Sequence, residues 1–186
     1  MLLLAHTGLT LGAAGAADYA LKKSRRQTAP WLPFFHLNID LRLLMLGSML
    51  PDLDKIIGIY LFPQISNGRI FLHTLLFLAL ITLVGLVVYR FWRRTWGLVL
   101  AAGTLSHLLL DSMWRSPRTL FWPFLQKSFT AVPTEDWLGT IWQRLLAEPG
   151  LYIPEIAGGL VLLWFGVWVF RHRQAKSLLF TGRVKR

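Results

Sequence analysis

The sequence predicts an all-α protein, a polytopic membrane helix bundle with about five transmembrane helices, each needing about 20 apolar residues for a full crossing. Three observations predict it. Of 186 residues, 54% are hydrophobic and only 16% are charged, with a mean hydropathy of +0.49. A soluble domain of this size rarely carries so little charge. The apolar residues are gathered in long runs, and most runs end in arginine or lysine. There is no cysteine, which excludes a disulfide framework, a thiolate metal site and a cysteine nucleophile. The composition excludes a disordered chain and a two-domain soluble enzyme, leaving one integral membrane domain over residues 1–186.

The first run, Leu2 to Leu21, is followed by Lys22, Lys23, Arg25 and Arg26. A secretory signal peptide carries its positive charge before the apolar run, so this segment predicts a retained helix. Gly8 and Gly12 stand at the spacing that lets membrane helices approach closely. A proline-containing link (residues 29–33) leads to Leu37–Leu50, with Asp40 and Arg42 near its start. It is shorter than a full span, and so short, tilted or shielded by its neighbours. It stops at Pro51-Asp52-Leu53-Asp54. Ile70–Trp92 is the third helix, ending in Arg90, Arg93 and Arg94, and Trp96–Leu110 the fourth, ending at Asp111. Residues 112–150 mix polar, aromatic and proline residues and form an extracytoplasmic loop region. Within it Leu120 to Leu125 suit the headgroup zone. Tyr152–Phe170 is the last helix, and a basic cytoplasmic tail (171–186) follows.

Charge sets the orientation. With the N-terminus outside, the cytoplasmic face receives the cluster at 22–26, the arginines at 90–94 and the basic tail. The outer face receives only Lys55, Arg69, Arg115, Arg118, Lys127 and Arg144. The positive-inside rule therefore favours an external N-terminus and a cytoplasmic C-terminus. The net charge of +11 is then mainly a topology signal, with some attraction to anionic lipids. No nucleic-acid-binding motif accompanies it.

Ionisable residues inside membrane helices are costly and mark functional sites by default. Here they share one level. His6, Asp52 with Asp54, His73, His107 with Asp111, and Glu155 all fall at the outer ends of their helices. His107 and Asp111 are four apart and share a helix face, and Arg69 stands four before His73. Three imidazoles with three carboxylates suit Zn²⁺, Mn²⁺ or Fe²⁺, whereas Mg²⁺ or Ca²⁺ would favour oxygen alone. The expected ligands are His6, Asp52, Asp54, His73, His107 and Asp111, enough for one or two zinc ions. Glu155 is a further candidate, though a helix-start carboxylate is its plainer reading. His36 and His172 lie near the opposite face and are read as interfacial.

The run Gly47-Ser48-Met49-Leu50-Pro51-Asp52-Leu53-Asp54, followed by Arg69-x-x-x-His73-Thr74, Ser106-His107-x-x-x-Asp111 and Trp122-Pro123-Phe124, resembles one group. It is similar to the YdjM-like inner-membrane metal-dependent hydrolases, also described as LexA-binding inner-membrane-associated hydrolases. The likeness runs from His6 to about Phe124, with Thr74 standing where serine is expected. The resemblance implies a hydrolase of the prokaryotic inner membrane. The ligand order is also similar, more weakly, to zinc-dependent phospholipase C and P1 nuclease, whose further histidines and His-x-x-x-Glu pair this chain lacks.

Taken together, the residues predict a membrane-bound hydrolase whose metal-activated water attacks a phosphoester of a lipid or other amphiphile. Asp52 or Asp54 would act as general base, and Arg69, helped by Lys55, would neutralise the phosphate. Two rivals use the same residues: divalent-cation binding for transport, and a non-catalytic membrane interaction protein. Transport needs a polar path below the cluster, where Thr10, Thr82 and Thr104 are few. Serine catalysis finds no Gly-x-Ser-x-Gly context at Ser48 or Ser106.

Overall fold

The computed structural model describes residues 2–24, 39–61, 68–129 and 137–184. Among these, every regular element is helical. Helix α1 runs Leu3–Ser24, matching the first apolar run and extending into its basic end. The second run is built differently from the expectation. Residues 37 and 38 lie outside the described residues, and α2 starts only at Leu41 and ends at Met49. Asp40 sets that start, because its carboxylate accepts the backbone N–H groups of Arg42 and Leu43. The Arg42 guanidinium bonded to the same carboxylate holds Asp40 below its usual acid range, so it is ionised at neutral pH.

Nor does the helix stop at Pro51. A 3₁₀ turn (Leu50–Asp52) carries proline at its start, where a missing N–H costs nothing. The chain then re-enters a helix, α3 (Leu53–Leu61). Beyond it, a 3₁₀ turn (Phe71–His73) precedes α4 (Leu75–Trp92), which Thr74 caps by accepting the Phe77 N–H. Helix α5 spans Trp96–Leu110, as expected. The loop region holds a 3₁₀ turn (Met113–Arg115), α6 (Pro117–Leu120) and α7 (Trp137–Ala147). Helix α8 (Pro149–Arg171) starts three residues earlier than predicted, and the basic tail folds into α9 (Ala175–Thr181).

Among the described residues, only α4 and α8 are long and apolar enough to cross a membrane, with mean hydropathies of 2.2 and 1.8 over their best windows. The expected count of five is therefore not met on length and composition. Helix α5 has 15 residues and α2 has 9. Helix α1 is long enough, but His6, Thr7, Thr10 and Asp18 interrupt its apolar run. The two spanning windows are only 6% and 17% buried, so neither is the core helix of a soluble domain. Leu80, Leu83, Leu86, Leu160, Leu163 and Trp164 all face outward, while His6, Ser48, His73, Thr104 and His107 are fully buried. A soluble protein arranges these classes the other way round. The pattern fits apolar solvent outside and a polar layer within.

Glycines set the crossings. A Cβ at Gly8 would overlap the Gly158 carbonyl, so α1 and α8 touch backbone to backbone. Gly12, the other member of the expected pair, faces Val161 at ordinary contact distance. A Cβ on Gly103 of α5 would lie 2.8 Å from the Gly47 carbonyl carbon of α2, and one on Gly97 would lie 2.7 Å from Gly85 Cα of α4. Small residues at these points let helices meet where lipid offers no hydrophobic drive. Cross-helix hydrogen bonds add to them: Thr10 with Ser106 at 2.7 Å, and the Thr104 hydroxyl donating to the Gly47 carbonyl at 3.3 Å.

Gly103→Leu is expected to destabilise the bundle by about 3 kcal/mol or more, since backbone cannot yield as side chains do. Gly15→Ala, at a position whose added Cβ meets nothing within 4 Å, should be neutral or stabilising by up to about 1 kcal/mol. Unfolding in detergent with a titrated denaturant would measure both.

Candidate metal centre

Asp52 and Asp54 lie two residues apart across the 3₁₀-to-α3 junction, so their side chains leave the helix on nearly opposite sides, about 160° apart at helical spacing. They do different things. Asp54 is fully buried and turns toward the 3₁₀ turn before α4. Its Oδ2 accepts the backbone N–H groups of Ile70 (2.9 Å), Leu72 (2.9 Å) and His73 (3.1 Å), and the His73 Nδ1 at 2.9 Å. Through that oxygen it sits behind His73 as an orienting group, and its Oδ1 is buried without a hydrogen-bond partner. Asp52 faces the other way: its Oδ1 lies 3.7 Å from His107 Nε2 and 2.6 Å from Lys55 Nζ.

The three histidines converge. The His6 and His107 rings stack with centroids 3.8 Å apart, and His73 meets His107 edge-on. The His107 Nδ1 lies 2.7 Å from the Ser48 carbonyl oxygen, which can only accept, so Nδ1 carries the proton. The His73 Nδ1, against Asp54, is protonated for the same reason. Both Nε2 atoms are thus left as lone-pair acceptors, and they face each other at 3.3 Å, buried from solvent. Two acceptors that close repel unless a proton or a metal cation lies between or beside them.

Carboxylates flank that pair. Asp111 Oδ1 lies 3.3 Å from His6 Nε2, and its Oδ2 lies 4.0 Å from His73 Nε2 and 2.8 Å from Arg69. His6, His107 and Asp111 form one group with metal-ligand spacing, and Asp52, His73 and His107 another. The 3.3 Å separations of His73 Nε2 from His107 Nε2 and of His6 Nε2 from Asp111 Oδ1 match the edge of a tetrahedron with metal–nitrogen bonds of about 2.0–2.1 Å, and the 3.7 and 4.0 Å separations are somewhat longer. Both His6 nitrogens are buried without a hydrogen-bond partner in the protein, which leaves Nε2 free to serve as a ligand atom. The residues fit a divalent transition metal. Because both groups depend on the same His107 Nε2, they describe one ion's surroundings better than two.

Arg69 and Glu155 occupy places the sequence did not foresee. Residues 69 and 70 are not helical, so the expected four-residue spacing to His73 has no meaning there, and Arg69 pairs with Asp111 instead. Glu155 caps α1: its carboxylate accepts the N–H of Leu2, of Leu4 (3.0 Å) and of Ala5 (3.2 Å). It thus fixes the turn that carries His6 without approaching the ligand atoms. His172 stacks on Trp168 at the far end of α8, as an interfacial residue would, and His36 lies outside the described residues. Sequence reasoning misses the Ser48 carbonyl, which carries no side-chain signal, and Asp18, which a search for ionisable residues within α1 would have found.

Glu155→Ala is expected to speed amide hydrogen exchange at Leu2–Ala5 and cost about 1 kcal/mol, the usual worth of a helix cap. Exchange within α8 should hold steady.

Comparison with known proteins places the whole assembly. Residues 1–178 match the model of the YdjM inner membrane protein family, a stretch that includes every residue of the histidine–aspartate layer. No curated protein and no solved structure matches the chain. On the strength of that nearly full-length match, the chain belongs to the YdjM inner membrane protein family.

Proposed function

We propose that this protein is a membrane-bound, metal-dependent hydrolase that cleaves a phosphoester of an amphiphile. The observation that carries the reading is the pair of buried Nε2 lone pairs of His73 and His107, 3.3 Å apart, with their other nitrogens already committed. His6, His73, His107 and Asp111 would hold the ion, zinc best and manganese or iron next. Bound there, such an ion acidifies water and polarises a phosphoryl oxygen.

The chain's own residues divide the rest of the work. Asp52 is the most open carboxylate of the group, 12% exposed where Asp111 is 1% and Asp54 is 0%. It is the general base, accepting the proton of the attacking water at its carboxylate oxygen. Lys55 pairs with that carboxylate at 2.6 Å and offers positive charge to the phosphate. Arg69, 38% exposed and anchored on Asp111, presents its guanidinium at the mouth. The 3₁₀ turn that carries His73 also carries Phe71, which packs against Trp122 and Phe129. Phe121 and Phe124 of the same loop remain exposed and suit the apolar part of an amphiphile.

The orientation belongs to the same proposal: external N-terminus, cluster at the outer face, and α1, α2 with its continuation, α4, α5 and α8 as the membrane elements. Cation transport is disfavoured by the use of the polar groups beneath the cluster. Thr10 and Ser106 bond each other, Thr104 bonds the Gly47 and Leu100 carbonyls, and Thr82 bonds the Leu78 carbonyl.

The test is metal content by elemental mass spectrometry, paired with turnover of phospholipid and isoprenoid phosphates against carboxyl esters in mixed micelles. Wild type is expected to hold about one equivalent of zinc. His107→Ala/Asp111→Ala should lose it with helicity intact. Asp52→Asn should keep the metal and lose at least about 100-fold in turnover. Asp54→Asn should weaken metal affinity about 10–100-fold by releasing His73. Full turnover in the double variant, or a metal-free wild type from a metal-replete preparation, would overturn the reading.

A further inference from the structure

The opposite end of the molecule holds a second site, independent of the metal centre. Helices α1 and α8 touch at Gly8 and Gly158 and then part. Gly12 is at ordinary contact distance from Val161, and a Cβ on Gly15 would meet nothing within 4 Å. The gap they leave is a cavity of about 470 Å³, lined by Leu11, Gly12, Gly15, Val161, Trp164 and Trp168, with Asp18 as its one carboxylate. That volume lies within the range of small-ligand pockets. The Gly8–Gly158 contact closes the seam on the side of the histidines, so the cavity does not continue along it to the metal centre.

Basic residues stand close in sequence to the lining residues Trp168 and Val184. Arg171 and Arg173 close α8, Lys176 lies in α9, and Arg183 adjoins the lining residue Val184; all four are exposed. Asp40, nearby, is already paired with Arg42. Leu179 and Phe180 of α9 are also exposed, 67% and 77%, beside these cations. An apolar slot at acyl-chain depth beneath a basic rim is the chemistry of a phospholipid with an anionic headgroup, on the cytoplasmic side by the positive-inside rule.

We propose that this groove holds one acyl chain of an anionic phospholipid of the cytoplasmic leaflet, its phosphate facing the basic rim formed by Arg171, Arg173, Lys176 and Arg183. The occupant is a structural lipid, distinct from any substrate of the metal centre.

The test is native mass spectrometry of the intact protein from mild detergent, with phosphatidylglycerol and phosphatidylcholine of identical chains as competing probes. Wild type should retain one phosphatidylglycerol in about tenfold preference over phosphatidylcholine. Gly15→Trp and the smaller Gly15→Leu fill the slot at a position with room for a side chain. Either should cut retention about tenfold while metal content and melting temperature hold. Arg173→Glu/Lys176→Glu should abolish the headgroup preference and leave chain binding. Undiminished retention in both Gly15 variants, or equal retention of the two lipids by wild type, would overturn the proposal. So would a wild-type dimer that Gly15→Leu dissociates, because the groove would then belong to a second copy of the chain.

Discussion

One carboxylate oxygen organises the centre of this protein. Asp54 Oδ2 gathers three backbone N–H groups and the His73 imidazole, all from the turn that leads into α4. In a fully buried position each of those donors would otherwise be orphaned, at a cost of about 1–3 kcal/mol apiece. The same oxygen fixes the His73 tautomer, and with it the direction of the Nε2 lone pair. That lone pair meets its counterpart on His107 only because Ser48, one turn before Asp52, offers its carbonyl to the His107 Nδ1. The candidate ligand atoms are thus aimed by backbone and carboxylate groups behind them, the arrangement that second-sphere partners give to metal-binding histidines.

The polar layer also depends on how closely the helices meet. Imidazole and carboxylate side chains are short, so four elements must approach within a few ångströms to bring their nitrogens and oxygens together. The backbone contacts at Gly47 with Gly103, Gly85 with Gly97, and Gly8 with Gly158 provide that approach. Each lies within about three helical turns of a cluster residue. The glycines and the histidines are two parts of one arrangement, in which apolar side chains are turned outward and the polar ones buried.

Much of this was legible in the sequence. The helices over Trp96–Leu110 and through residue 92 follow directly from uninterrupted apolar runs bounded by charge. The co-levelled His6, His73, His107 and Asp111 follow from their places along those runs, and the structure brings all four together. What the sequence hid has identifiable causes. Pro51 reads as a stop, yet in a first turn it is tolerated, so α3 continued where a loop was expected. Asp52 and Asp54 read as a chelating pair, but a helical path sends neighbours two apart to opposite sides. Arg69 was placed by helical spacing in a stretch that is not helical. The Ser48 carbonyl and the three N–H groups on Asp54 belong to the backbone, which no residue type announces. The number of crossings is not settled by length and composition, because among the described residues α1, α2 and α5 lack the length or apolarity of independent spans.

Helix α2 shows why so short an element can hold its place. Nine residues cannot cross a bilayer or persist as an isolated helix. Both of its ends are tied instead. At the start, Asp40 caps the first turn, the Leu41 N–H donates to the Gly182 carbonyl at 2.7 Å, and the Arg42 guanidinium reaches the Leu179 carbonyl at the end of α9. Gly182 has a φ of +69°, and a side chain there would strike the Asp40 carboxylate, so the tail can close this contact only through glycine. At the other end, Ser48 receives His107 and the chain turns into Asp52 and Asp54. The C-terminal segment, which sequence alone reads as a topology signal, therefore helps hold the strut on which the metal centre is built.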